Sequence, residues 1–584
     1  MTVTLPCLEC YRIVMEWKFR HEHVAPPPED LEAWADRLEI SPALASFLWQ
    51  RGLHDLPAME LFLNPSLKLL APLHGWPGLV EAAKVFTGAL LAGKKCCVWG
   101  DYDVDGITST ALVKDFLARH GFDCKHHIPA RLTEGYGLNV EGMERLAEEG
   151  VELLLTVDSG ISDLEPIARA KELGMTVVVS DHHLPGDELP LADAIVNPRL
   201  ADCPCPYLAG VGVAFFLMAA VNVELLKAGR GKIDIRPLLD LVALGTLADV
   251  VDLGGQNRIL VKNGLLQIAS GVRVGIAALK AACNFSASAS LGAGQVVFTL
   301  APRINAAGRL GSSETALELL LTQDRERAAQ LADELSRLNA ERRQEEDRIQ
   351  AEAVAQAEEQ AAAGRMGLVL YSPEWHPGII GIVASRVVEA LHRPTVVLSS
   401  SDAFLRGSGR SVAGVDMYEV FSSCSDCLLT FGGHKMAAGL SLEAGMLDTF
   451  RERFNELVQQ RLGDTPVEKI CKIDAELSFA QADFTFLKEL EMLQPFGMGN
   501  AEPVFASPPV RVRSMRGRPG FMSLELEDEQ SGMRLRASAW RHLADMPQNL
   551  KGRRIRLAYT PRIDRYNGAA SVELRMKDWK EEKE

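Results

Sequence analysis

The apolar positions of this chain change period along its length. Between residues 82 and 250, short continuous apolar runs at 95–99, 153–157, 176–180 and 194–196 alternate with stretches of helical period at 107–120, 162–173 and 211–226. Runs without polar alternation suit strands covered on both faces, and their alternation with helices predicts βαβ units and a parallel sheet. Residues 324–363 contain neither Gly nor Pro and are rich in Ala, Glu, Arg and Gln. They predict one helix of about 60 Å at 1.5 Å per residue, with solvated sides, spacing two domains. A second α/β region follows, with apolar runs at 366–371 and 394–399 and a glycine-rich stretch at 431–439. Beyond residue 497 the pattern shortens to strands near 509–513, 521–527, 533–539, 554–560 and 570–576, which suggests a small OB-like barrel. Residues 1–75 carry short amphipathic patterns and three prolines at 26–28, and read as a mostly helical region. The expected α/β organisation is therefore 1–75, a catalytic parallel-sheet domain at 76–323, the connecting helix at 324–364, a second α/β domain at 365–465 and the barrel at 466–584.

A length of 584 residues fits about four domains at roughly 150 residues each. Hydrophobic residues make up 47% and charged residues 24%, which excludes a disordered or low-complexity chain. The net charge of −16 argues against a generally basic coat protein. It leaves room for a local basic surface, because residues 511–577 hold 15 Lys and Arg against 7 Asp and Glu. The 11 cysteines are scattered, as expected in a reducing compartment. The first residues lack the basic-then-apolar pattern of a leader, and no run reaches about 18 uninterrupted apolar residues. A cytoplasmic location and no membrane span are expected.

Four segments place acids and histidines at the ends of the apolar runs or of an apolar helix. They are Asp101-Tyr102-Asp103-Val104-Asp105-Gly106, Val157-Asp158-Ser159-Gly160, Asp181-His182-His183, and Asp249 after the apolar helix at 238–244. Side chains beyond the carboxyl ends of parallel strands converge on one crevice. Carboxylates gathered there repel one another unless cations neutralise them. Mixed Asp and His ligation suits Mn²⁺, Mg²⁺ or Zn²⁺, and the absence of Cys argues against a structural zinc site. A calcium loop starting at Asp101 fails, because its twelfth position is Leu112 rather than Glu. Alone, Asp158 would read as a helix cap and the His pair as filler. In order on one sheet, the four segments point to two bridged metals, an arrangement suited to phosphoryl transfer. No nucleotide-binding GxxxxGK[ST] loop is present. The residues thus indicate a metal-dependent phosphoesterase.

The order DxDxDG, VDxG, DHH and a later Asp resembles the DHH phosphoesterase superfamily. Gly432-Gly433-His434-Lys435 resembles the GGH motif of its associated domain. Within the superfamily, three stretches are similar to the RecJ family of single-strand-specific exonucleases. They are 301–311 (APRINAAGRLG), 375–378 continuing through 381–386, and 494–500 (QPFGMGN). The resemblance covers about residues 75–580 and implies a 5′→3′ exonuclease that releases mononucleotides from single-stranded DNA in repair and recombination. It implies Mn²⁺ or Mg²⁺ in a two-metal site. Asp105, Asp158, His182 and Asp249 would hold one ion, and Asp103 with a bridging Asp158 the second. Asp101 and Asp181 would stand behind the ligands, and His183 would face the scissile phosphate. DNA and phosphate contacts would come from Arg131, Arg303, Asn305, Arg309, His376, Arg406, Ser408, Arg410, Gly433, His434 and Lys435. Paired glycines let backbone N–H groups approach a phosphate closely. The expected partners are single-stranded DNA, with a single-strand-binding protein and a helicase, for a monomeric enzyme.

In the barrel, Phe521, Tyr559 and Tyr566 could stack bases, with Trp540 assigned to the core. Two features depart from the pattern. Asp252 stands where proline is expected, and Cys7-x2-Cys10 with Cys424-x2-Cys427 could make a four-thiolate zinc site only if the fold joins them. Two other readings remain at this point. A DHH phosphodiesterase of short oligonucleotides or cyclic dinucleotides would need neither the long helix nor the Arg-rich barrel. An inactive nucleic-acid-binding scaffold would have lost the metal ligands.

Overall fold

The computed structural model describes residues 15–582 apart from 21–27, 132, 201–202, 402–403, 464–467, 519, 541–542, 544–545 and 565–569. The chain divides into two compact units, one formed by Ser66–Val467 with Gly497–Gly499 and the other by the remainder.

In the first unit the predicted apolar runs form a five-stranded parallel sheet. Its order is Cys124–His127, Cys96–Trp99, Leu153–Val157, Thr176–Ser180 and Ala194–Val196. The edge strand Cys124–His127 was not expected, because Cys-Lys-His-His carries no apolar run. It forms because its backbone pairs with Cys96–Trp99 in register. Helices Val104–Arg119, Gly210–Lys227 and Leu239–Ala248 bring most of their residues into the core beside the sheet. Gly210–Lys227 is long and apolar enough to cross a membrane, with a mean hydropathy of 1.6, but 72% of it is buried inside the protein.

The helix Arg325–Ala362 runs 38 residues, close to the expected span, but it is not a solvated spacer. Leu331, Leu335 and Leu338 enter the core of the parallel-sheet domain. Ile349, Ala353 and Ala357 pack with Trp375, Ile380 and Val383 of the second domain. Between these halves Arg342 donates to Glu346 (2.9 Å) and Asn339 (3.1 Å), all three buried. An apolar stripe buried at both ends is what stabilises a helix this long. The second domain is a five-stranded mixed sheet in the order Thr430–His434, Ala437–Leu442, Phe404–Arg410, Thr395–Ser401, Leu368–Tyr371. Only its last pair is parallel.

In the second unit Val510–Arg518, Phe521–Asp528, Arg534–Trp540, Ser571–Glu581 and Arg554–Asp564 pair in succession, and Arg554–Asp564 pairs back with Val510–Arg518. The pairing closes on itself, with one parallel contact between Arg534–Trp540 and Ser571–Glu581, as in a five-stranded OB barrel. The described N-terminal residues do not form a region of their own. Glu16–Phe19 pairs in parallel with Ile470–Ile473, and helices Leu31–Leu38, Pro42–Gln50 and Leu56–Leu63 share one apolar core with the barrel. Arg51 reinforces this with hydrogen bonds to Asp474 (3.0 Å) and to Ala501 O (2.5 Å). Tyr559, expected to stack bases, is fully buried and donates to Leu477 O at 2.8 Å. Trp540, expected in the core, is 50% exposed with its ring 4.5 Å from that of Phe521. Tyr566, Cys7 and Cys10 lie outside the described residues. Cys424 and Cys427 are buried among Phe421, Phe450 and Phe454, and burial pushes the Cys424 thiol up to about 12. That environment suits an inert core thiol.

Candidate metal centre

Each acidic segment reaches the site from its own element. Asp101 follows the strand Cys96–Trp99, Asp158 follows Leu153–Val157, Asp181 and His182 follow Thr176–Ser180, and Asp249 caps the helix Leu239–Ala248. Three sets of side chains lie close enough to hold a cation: Asp105 with His182 and Asp249, Asp158 with His182 and His183, and Asp101 with Asp103 and Asp158. His182 Nε2 lies 3.1 Å from Asp158 Oδ1, 3.7 Å from Asp249 Oδ2 and 3.9 Å from Asp105 Oδ2. Despite this proximity, His182 Nε2, Asp158 Oδ1, Asp249 Oδ2 and Asp101 Oδ1 are buried without a hydrogen-bond partner. Buried polar atoms are nearly always satisfied, so this cluster of acceptor lone pairs suits a cation as its partner.

The electrostatics agree. Burial, with the neighbouring carboxylates adding to it, raises the Asp158 and Asp101 carboxyls well above their usual range. The same causes push Asp105 up to about 7 and Asp249 up to about 9. Burial, then the charge on His183, lowers His182 to about 4, so its imidazole is neutral with a free lone pair. A divalent cation offsets these costs together, and an oxygen-rich set with one imidazole fits Mn²⁺ or Mg²⁺.

The local structure fixes the donors. Asp105 accepts hydrogen bonds from Gly210 N (2.6 Å) and Val211 N (2.9 Å), the first amides of helix Gly210–Lys227. Asp103 Oδ1 caps the helix Val104–Arg119 through Asp105 N (2.8 Å) and Gly106 N (3.1 Å). Asp158 has φ 60°, a left-handed conformation uncommon outside glycine and concentrated at functional sites. Asp181 lies beside the cluster and supports His183. Its carboxylate accepts from Ile161 N (2.9 Å), His182 N (2.6 Å) and His183 N (3.1 Å), and Oδ1 lies 2.8 Å from His183 Nδ1. Burial opposes its charge, but His183 and the amides hold its carboxyl below the usual range. Burial likewise opposes a charge on His183, yet Asp181 overrides it and raises the imidazole to about 9. Asp101, expected only behind the ligands, belongs to one of the candidate ligand sets.

Two participants were missed in the sequence. Tyr136 OH lies 3.1 Å from His183 Nδ1 and 3.3 Å from Asp158 O. The signal was the pair of glycines that flank Tyr136, Gly135 and Gly137, both of which take positive φ in the fold. Gly210 was the other. A Cβ there would lie 2.6 Å from Asp158 Oδ1 and 2.7 Å from Asp158 Cβ. Gly210→Ala is expected to displace Asp158 and lower turnover about 100-fold, the usual scale for a misplacement near 1 Å. Steady-state rates beside a melting curve check this, and unchanged turnover in a folded variant would overturn it.

The phosphate-binding candidates separate into two groups. Arg309 donates to Gly378 O (2.6 Å), and Arg410 donates to Ser408 (2.9 Å) and Ser385 (3.2 Å). Burial, then Arg131, Arg342 and Arg410, lowers Arg309 to about 9; burial and Arg131 lower Arg410. Arg131 lies over the ring of Tyr102, 5.0 Å from its centroid. Arg309 and Arg410 both feel the charge of Arg131, and guanidinium groups gathered in this way suit an anion. Arg303 is not among them. It bonds Thr299 O (2.6 Å) on the preceding helical turn and Ser336 (3.0 Å) on the long helix Arg325–Ala362. Asn305 is half-buried. His376 Nδ1 accepts from Gly378 N at 3.1 Å, beside Arg309. Arg406 stacks on Phe404, 5.5 Å from its centroid. Gly433, His434 and Lys435 are exposed, Gly433 and His434 on the sheet's edge strand and Lys435 in the turn that follows.

A parallel sheet whose strand ends gather acids and histidines into candidate cation-binding sets is the architecture of a phosphoesterase of the DHH type. The DHH family N-terminal domain matches residues 95–246, the DHHA1 domain residues 364–460 and the RecJ OB domain residues 473–578. The chain is 38% identical over 557 residues to the single-stranded-DNA-specific exonuclease RecJ of Dickeya dadantii, covering 91% of this chain and 95% of that protein. It is 39% identical over 489 residues to the Escherichia coli protein of the same name, covering 80% and 83%. It superposes on the crystal structure of RecJ in complex with Mn²⁺ from Thermus thermophilus with a TM-score of 0.82, at 32% identity over 98% of this chain and 81% of that one. The Mg²⁺ complex from the same organism gives 0.75 at 31% identity, over 96% and 78%. This chain belongs to the RecJ family.

Proposed function

We propose that this chain is a metal-dependent exonuclease that hydrolyses single-stranded DNA from the 5′ end to mononucleotides. The observation that carries the reading is the set of buried, unpartnered ligand atoms on Asp101, Asp158, His182 and Asp249. Its support is the 38% identity to relatives named as single-stranded-DNA-specific exonucleases and the likeness to structures titled as Mn²⁺ and Mg²⁺ complexes. Asp105, Asp158, His182 and Asp249 would hold one ion, and Asp103 with Asp158, joined by Asp101, the second. When bound, such a pair supplies a hydroxide-like nucleophile at neutral pH and neutralises charge on the phosphate.

The chain's own residues do the rest. Asp181 holds His183 protonated, and that imidazolium can donate to a phosphate oxygen as negative charge develops. Tyr136 OH contacts the same imidazole from the exposed side. Arg131, Arg309 and Arg410 favour a terminal phosphate, which carries more charge than an internal diester. Guanidinium groups of this kind therefore support action from a strand end, and the 5′ polarity rests on the family resemblance. Cytoplasmic work in repair and recombination, a monomeric state, and partnership with a single-strand-binding protein and a helicase belong to the same proposal.

The test uses purified protein with Mn²⁺ on DNA oligomers labelled at the 5′ or 3′ end, beside a blunt duplex and a matching RNA. Immediate release of 5′-labelled mononucleotide with a shrinking 3′-labelled ladder and an intact duplex is the expected result. Turnover of di- and trinucleotides alone would move the assignment to the short-oligonucleotide phosphodiesterases.

The barrel supplies a capture surface. A groove of about 760 Å³ is lined by Arg516, Arg518, Phe521, Arg534 and Arg536 among others. Arg536 rests on Ser523 (3.0 Å) and Arg534 on Glu527 (2.9 Å), while Arg516 and Arg518 are exposed. Exposed basic groups beside the Phe521–Trp540 pair fit a strand whose phosphates and bases are gripped separately. Deleting 505–584 is a poor test, because the N-terminal helices share this core. The double substitution Arg516→Ala with Arg518→Ala is expected to weaken oligomer binding. It should also flatten the slope of log affinity against log salt by about 1.4, near 0.7 per lost phosphate contact. Anisotropy titrations in EDTA across salt measure this, and an unchanged slope would remove the groove from the binding path.

A further inference from the structure

The motif at 494–500 has no part in the metal centre or the gathered arginines, yet its middle residues touch the loop that follows Asp249. Val250 has φ 62°, a left-handed conformation that a β-branched residue rarely adopts. Such a conformation persists only where its surroundings over-determine it. One side of this loop is tied locally: Asp252 Oδ1 accepts from Gly254 N (2.6 Å), and Asn257 donates to Asp252 O (2.8 Å). The other side is tied from far along the chain. Leu253 N donates to Met498 O at 2.9 Å, and the Leu253 side chain is buried. Gly499, with φ 73°, approaches so closely that a Cβ there would lie 2.3 Å from Asp252 Oδ2 and 2.5 Å from Asp252 Cγ. A Cβ on Gly497 would lie 2.6 Å from Leu253 Cδ1. Contact with this loop therefore requires glycine at 499, while residue 497 packs against the end of the Leu253 side chain.

We propose that Gly497–Gly499 is a strap that holds Val250–Leu253 in its strained turn and thereby keeps the Asp249 carboxylate aimed into the metal centre. The strap residues touch no reacting atom in this account; they are positioning residues. The inference rests on the reading of Asp249 as a metal ligand. It accounts for the second glycine of the motif, and it gives Asp252 a structural place in the loop the strap holds.

The experiment is a Mn²⁺ titration of the full-length protein, with free ion followed by electron paramagnetic resonance and no substrate present. Gly499→Ala is expected to weaken Mn²⁺ binding about tenfold, the scale seen when groups supporting a metal ligand are lost. Combining it with Asp252→Ala removes the atoms the new methyl would strike and should recover the part of the affinity lost to that clash, leaving only the strain of an alanine at φ 73°. Should Gly499→Ala fail to fold, Gly497→Ala strikes only the flexible end of Leu253, and its pairing with Leu253→Ala is the equivalent test. Wild-type affinity in the single variants, or a loss that the second substitution does not recover, would overturn the strap alone. Failure of the wild-type protein to bind Mn²⁺ would overturn the metal-centre reading and the strap with it.

Discussion

Replacing Asp158 with alanine is expected to lower single-strand hydrolysis on the order of 10³-fold or more, the scale for removing a central catalytic group. Asp158 belongs to two of the three candidate ligand sets, so its loss damages both ion positions. The same substitution should not weaken the metal-free fold. Burial and the charges of Asp105, Asp103 and Asp249 all raise the Asp158 carboxyl, so in the free protein it is a source of repulsion. A melting temperature in EDTA equal to or above that of the parent protein is expected, with little further rise on adding Mn²⁺. Residual turnover within tenfold of the parent, or a Mn²⁺-induced rise of unchanged size, would remove Asp158 from the bridging role.

Arg273→Ala is expected to cost about 3–5 kcal/mol of stability, the range for breaking a buried ion pair from one side. Arg273 Nε donates to Asp240 Oδ2 at 2.7 Å and Nη2 to Asp115 Oδ2 at 2.9 Å, and a further bond reaches Leu320 O at 3.0 Å. These contacts join helices Val104–Arg119 and Leu239–Ala248 to the start of helix Val274–Ala282. Without the guanidinium, Asp240 and Asp115 are left facing each other, and Asp240 is buried. Burial already raises the Asp240 carboxyl even against the pull of Arg273. A carboxyl raised in the folded state binds more protons there than when unfolded, so stability falls as pH rises through its titration. In the variant that rise is larger. The deficit should be greatest at neutral pH and above, and shrink as pH falls toward the ordinary carboxylate range. Denaturant melts at several pH values check both parts. A deficit below about 1 kcal/mol, or one that does not change with pH, would show the pair to be dispensable.

The sequence was readable where chemistry and pattern coincide. Four of the five strands of the first sheet were visible because continuous apolar runs have few other uses in a chain of this composition. The candidate ligand residues were visible because acids and histidines at the ends of such runs have few structural roles. Cys124–His127 was invisible, since an edge strand can form by backbone pairing alone. The long helix was located but misjudged. Its buried stripe is spread over 38 residues and shared between two partners, so no short window displays it. Trp540 and Tyr559 exchanged their expected places because side chains alternate between the faces of a barrel strand, and register decides which face is inner. The arginines show the same limit. Arg303 and Arg309 stand six residues apart on one helix, yet Arg303 bonds Ser336 of the long helix while Arg309 bonds Gly378 O and feels the charges of Arg131 and Arg410.

By itself, then, the sequence determined the fold class and the parallel sheet, and singled out the acids and histidines that the fold gathers into the candidate metal centre. Each of these is written in local periodicity or in residue types that burial would otherwise exclude. Only the tertiary structure decided which arginines converge, which barrel aromatics are open, that the N-terminal helices share the barrel's core, and that Gly210 and Gly499 must lack a side chain. Those features depend on the distance between atoms brought together by folding, and steric contact across 52 or 247 positions of chain leaves no periodic trace.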